Sequence, residues 1–154
     1  MIQRIQTLYL LIVVILTGLT LWLPLAGFSN EGGTYLLTAF GVRDAAGNIV
    51  QSTVYLGILL VLTAVLPLVV IFLFKRRMLQ FRLCVAELML LIGSIGMMGI
   101  YFFLCRRFFS GGEFYGQELK VALIFPVVCL VFDFLAARAI LKDEKLVRSL
   151  DRIR

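Results

Sequence analysis

Two acids buried in otherwise apolar runs are the residues of this sequence best placed to do chemistry. Glu87 lies about five residues into the run 83–104, and Asp133 is the only charge of the run 121–137. A carboxylate in such a stretch is costly, and such residues mark proton or ion pathways. Both stand five residues from an arginine, Arg82 and Arg138, so they have similar depths. Two carboxyls at one depth on adjacent helices share a proton or hold a cation. Alternatively, each holds the arginine nearest to it. The cost of an acid falls close to a membrane interface, and the arginine pairing is therefore the expected arrangement.

Nothing else in the chain suggests catalysis. There is no histidine, hence neither the commonest metal ligand nor the usual neutral-pH proton shuttle. Cys84, Cys105 and Cys129 are far apart in sequence and form no CxxC. They read as small apolar residues rather than a redox or metal set. No nucleophile stands beside a base at recognisable spacing. The expectation is no enzyme, no metal site and no cofactor.

The elements that must position the two acids are membrane-spanning helices. The chain has 154 residues, 62% hydrophobic, with a mean hydropathy of +1.04. Globular proteins are roughly 45–50% apolar, and a chain this short has no core large enough for the excess. About 20 apolar residues cross a bilayer as a helix, which predicts spans near 5–25, 54–74, 83–104 and 121–141 and a tail at 142–154. The first run also resembles a signal peptide. However, its length, Trp22 at an interface position and the lack of a small-residue cleavage site favour an uncleaved span. Pro67 is expected to kink the second span.

The fold class predicted is an all-α membrane protein, one integral domain over residues 1–154. It is an antiparallel bundle of four transmembrane helices with a cytosolic helical extension. A small β-hairpin is expected in the first outer loop, where 34–42 and 49–53 are rich in strand formers and 44–48 reads as a turn. Gly93, Gly96 and Gly99 recur every three residues. Small residues let helix backbones approach closely in lipid, so this ridge is expected to pack against a helix of this chain or of a second copy.

Charge sets the orientation. Lys75, Arg76, Arg77 and Arg82 form a basic cluster between the second and third runs, which suits a cytoplasmic loop against anionic headgroups. With both termini cytoplasmic, eleven cations lie inside and four outside, namely Arg43, Arg106, Arg107 and Lys120. Glu113 and Glu118 stand near the outer arginines to offset them. The net charge of +6 thus reflects topology rather than nucleic-acid binding. In the tail, Leu146, Val147, Leu150 and Ile153 fall on one helical face among charges of both signs. That mixture suits docking to a protein partner better than lying on lipid.

The ends of the chain carry a resemblance. Met1-Ile2-Gln3-Arg4-Ile5-Gln6-Thr7, and Arg138-Ala139-Ile140-Leu141-Lys142-Asp143-Glu144-Lys145-Leu146-Val147-Arg148-Ser149 running to Asp151-Arg152-Ile153-Arg154, resemble a family of small four-span bacterial inner-membrane proteins of unknown function. The resemblance implies a bacterial inner membrane and four spans, but no activity and no site residues.

Two functions fit. The preferred one is a non-enzymatic accessory or scaffolding subunit of a membrane complex, with the bilayer and a protein partner or further copies of itself as contacts. The other is a small oligomeric transporter or channel that uses Glu87 and Asp133.

Overall fold

The computed structural model describes residues 2–30, 33–73, 77–109 and 114–151, and of residues 2–4, 30, 77, 109, 114–115 and 147–151 the backbone only. Lys75, Arg76, Glu113 and Ile153 lie outside the described residues. The side chains of Arg77, Val147 and Leu150 lie outside them as well.

Pro24 ends the first helix, α1 (Ile2–Trp22), because proline offers no N–H to the preceding turn. Four strands follow: β1 (Ala26–Asn30), β2 (Gly33–Leu37), β3 (Gly41–Asp44) and β4 (Ile49–Ser52). Then come α2 (Val54–Phe72), α3 (Arg77–Phe109), β5 (Phe114–Leu119), a single 3-10 turn at Val121–Leu123, and α4 (Phe125–Asp151). The four helices are long and apolar enough to cross a membrane. α3 has 33 residues, a length of about 50 Å at 1.5 Å per residue. It starts at Arg77, so Gln80 and Arg82 belong to the helix rather than to a connecting loop.

The buried positions of the helices alternate in steps of three and four. They are Gln6, Leu10, Val13, Thr17 and Thr20 on α1, and Leu56, Leu60, Thr63, Pro67 and Val70 on α2, where Gly57 beside Leu56 is buried as well. On α3 they include Gln80, Cys84, Glu87, Leu91, Ser94 and Met98, and on α4 Pro126, Cys129, Asp133, Ala136 and Ile140. A seven-residue repeat of this kind is the seam of helices packed nearly antiparallel, knobs into holes. α1 and α3 each pack on both α2 and α4, which closes a ring of four.

The strands form one antiparallel sheet in the order β4-β3-β2-β1-β5. The sequence suggests one hairpin in the first loop; the structure has five strands among the described residues, with β1 and β5 drawn from different connections. The expected long strand over 34–42 is interrupted where Thr38 Oγ1 donates to the Gly41 carbonyl at 2.6 Å, closing a tight turn. β1 lies between β2 and β5 and thereby ties the α1–α2 connection to the α3–α4 connection. Leu25 adds two backbone bonds, its N–H to Leu37 O at 2.7 Å and its C=O from Lys120 N at 3.1 Å. Leu25, Phe28, Leu37 and Val42 from this region share one buried cluster with Leu56, Leu60, Met98 and Ala122 of the bundle. The sheet is therefore an apolar cap over one end of the four helices. The other end is where the helix termini at Ile2, Phe72, Arg77 and Asp151 lie.

Candidate functional site: a buried carboxyl pair

The register of α3 against α4 brings the two acids together. Leu91 and Cys129 share one core cluster. Four residues further from the sheet along each helix stand Glu87 and Asp133, and three further still are Cys84 and Ala136, again in one cluster. Both acids are fully buried. Their carboxyls lie within electrostatic reach of each other and of the Cys84 and Cys129 thiols. Tyr9 of α1 borders the same level, with its ring centroid 6.1 Å from that of Phe132.

The arginine pairing favoured from sequence is not what the structure has. Arg82 and Arg138 are exposed, and among the described residues no N–H or O–H donor reaches any of the four carboxyl oxygens; the polar group beside Asp133 is the Cys84 thiol. The reason is helical geometry. Five residues along a helix turn the side chain through about 140°, whereas partners on one face are three or four apart. Each arginine therefore points away from the seam on which its acid lies.

A buried carboxylate with neither a donor nor a cation costs several kcal/mol, on the order of the penalty for any unpaired buried ion. Such a pair is tolerated when it holds a proton or another cation. Among the described residues, no three of Cys, Asp and Glu converge as a metal-ligand set.

Two glutamines, which the sequence reading did not single out, lie on the same seams toward the helix termini. Gln80 is buried and donates from Nε2 to the Val70 carbonyl at 3.2 Å. Gln6 is only 4% exposed, and its Nε2 has no partner among the described residues. The signal that finds them is the alternation of three and four, since Gln80 is seven residues from Glu87. Toward the sheet, the buried hydroxyls are satisfied within their own helices. Thr17, Thr20, Thr63 and Ser94 each donate to a carbonyl three or four residues back, at 2.8 Å.

The glycine ridge faces outward. Gly93 and Gly96 are exposed and Gly99 half-buried. A methyl at Gly96 or Gly99 would meet nothing within 4 Å, and at Gly93 only Leu59 of α2, at 3.9 Å. The ridge is thus not a contact between helices of this chain, because the seam of α3 runs through Glu87, Leu91, Ser94 and Met98 instead. Of the tail stripe, Leu146 is exposed. Glu118, expected near the outer arginines, pairs with Lys120: Lys120 Nζ donates to its Oε2 at 2.6 Å, and this bond holds the Glu118 carboxyl below the usual glutamate range.

No curated protein is significantly similar to this chain. Residues 2–153 match the sequence profile of a family described as a domain of unknown function, DUF4293, and the chain belongs to that family.

Proposed function

We propose that this DUF4293 protein is a non-enzymatic, multi-pass protein of the bacterial inner membrane, with both termini cytoplasmic, whose working site is the Glu87–Asp133 pair. In this reading the pair binds and releases protons, and the protein acts as a small proton-linked transporter or channel. One observation carries the proposal: two fully buried acids lie within electrostatic reach of each other, and among the described residues no N–H or O–H donor offsets them, the weak thiol donor of Cys84 beside Asp133 being the polar group next to them. A purely structural acid is normally bonded. Intramembrane acids without a partner suit proton relays. The excess of cations at the ends of the helices away from the sheet supports the orientation.

The test is proton flux into proteoliposomes under an imposed pH gradient. The wild-type chain should acidify or alkalinise the lumen faster than empty vesicles. Glu87→Gln and Asp133→Asn should each bring the rate down to that of empty vesicles while the protein stays folded. Equal flux in all three proteins would sink the reading.

An accessory or scaffolding role in a membrane complex is the second reading. It is supported by the outward-facing ridge of Gly93, Gly96 and Gly99, which has no packing use inside the chain, and by the mixed charge of the tail. It predicts that a second protein accompanies the chain through gentle extraction, and that Glu87→Gln with Asp133→Asn leaves that association unchanged.

A further inference from the structure

The two directions out of the carboxyl pair differ in kind. Toward the sheet lie Leu91 and Val13 with Cys129, then the hydroxyls of Thr63, Thr17 and Ser94, each spent on its own helix. Beyond them comes the capping cluster that includes Leu60, Leu56, Met98, Leu37, Val42 and Leu25, all at most 2% exposed. From Glu87 to Cys105, the last α3 residue of that cluster, is eighteen residues, about 27 Å along the helix. No polar group along that way is left without a partner among the described residues.

Toward the helix termini the way is shorter: one apolar layer, of which Ile140 is also part, and then two amides. Seven residues, about 10 Å, separate Glu87 from Gln80. The side chains between include the small Cys84, Ala136 and Ala137 beside Leu10 and Val70. At its end stand Gln80 and Gln6, the latter with a buried amide donor that has no partner among the described residues. A buried amide in that position needs a water or an ion to complete it.

We propose that in this conformation the Glu87–Asp133 pair exchanges protons only with the end of the bundle where the helix termini lie, past a gate made by Gln6 and Gln80, and that the five-stranded sheet seals the opposite end. The proposal rests on the proton-binding reading of the pair given above. The exchange is a bare proton transfer: a hydronium ion gives its proton to a carboxylate oxygen and leaves as water, and release reverses the step. The glutamines bond the incoming water and do not themselves ionise. Among the described residues, the titratable groups beside the pair are Cys84 of α3 and Cys129 of α4, while the half-buried Tyr9 of α1 packs on Phe132, the neighbour of Asp133. α2 presents Pro67 and Val70, with no ionisable side chain at that level. Arg82 and Arg138 point outward.

The experiment is a pH jump applied to one face of full-length protein in oriented proteoliposomes, with the infrared carboxyl band of Glu87 and Asp133 followed in time. The band should respond to the face carrying the helix termini and ignore the sheet face. Gln6→Leu and Gln80→Leu should each slow the response by about tenfold or more while leaving the size of the final change intact. A hydrophobic-to-polar change in the cap, Leu37→Asn, should let the sheet face drive the band. A response to the sheet face in the wild type, or wild-type rates in both glutamine variants, would overturn the gate and leave the proton-binding reading standing. A band that follows neither face would contradict both.

Discussion

At the scale of single residues, the carboxyl pair is unusual because, among the described residues, no N–H or O–H donor offsets its burial. Replacing a buried polar pair by apolar groups is often neutral or stabilising, by about 1–4 kcal/mol. The double change of Glu87→Leu with Asp133→Leu should therefore leave the thermal midpoint in detergent equal or higher. It should also abolish proton flux. A large drop in the midpoint would mean that the acids hold the fold together. That both acids are present, and at similar depths, is legible in the sequence. That they face each other is not, because it depends on the register of α3 against α4. The arginine pairing fails for a reason the sequence already contains: a spacing of five puts two side chains on different faces of a helix. Glu118 gives a second, smaller prediction. Its carboxyl is held low by Lys120, so the pair stabilises the folded form while Glu118 is ionised. That contribution is lost as pH falls through the folded-state value, below the ordinary glutamate range. Because the pair is exposed, its effect at neutral pH is small. Glu118→Gln should leave the midpoint at pH 7 almost unchanged and flatten its decline in acid.

At the scale of elements, the join between sheet and bundle is the place to perturb. Gly57 of α2 packs directly under the Phe40 ring, and a Cβ there would collide with that ring and approach Ala39 O to 3.1 Å. Gly57→Val should destabilise by about 1–3 kcal/mol through overpacking, seen as a lower unfolding midpoint. Thr53 is buried just before α2, and its hydroxyl reaches Thr38 O and Ala39 O, both at 3.1 Å. Thr53→Val should cost about 0.5–1.5 kcal/mol. Gly96→Ala has open space around it and should leave the isolated chain within about 0.5 kcal/mol. If the ridge is a contact between copies, the bulkier Gly96→Phe should shift the size of the extracted particle while the chain stays folded. The helices are legible in the sequence because 20-residue apolar runs leave few alternatives. The sheet is only half legible. The strand-rich stretches near 34–42 and 49–53 show in composition. β1, with Gly27 and Ser29, and β5, with Gly116 and Gln117, carry little strand preference, and their pairing spans nearly ninety residues. Non-local pairing of this kind leaves no mark in a local window.

At the scale of the whole molecule, the architecture gives the bundle one end capped by the sheet and another where the helix termini lie. The sheet closes one end of the ring of helices with side chains from both connections. The opposite end carries the basic segment between α2 and α3, the polar seam residues Gln6 and Gln80, and the long α4 extension to Asp151. Deleting residues 146–154 should leave the bundle folded, because among the described residues the last buried one on α4 is Ile140, and should change which proteins co-purify if the tail is a docking element. Unchanged association would remove the tail from consideration. The central claim is that Glu87 and Asp133 form one coupled proton-binding pair, and the most direct measurement is an equilibrium infrared titration of the carboxyl stretch in membranes. The account predicts a pH-dependent carboxyl band that diminishes in Glu87→Gln and in Asp133→Asn, with each single change also moving the titration of the acid that remains. A band unaffected by either substitution, or two acids that titrate independently, would contradict it.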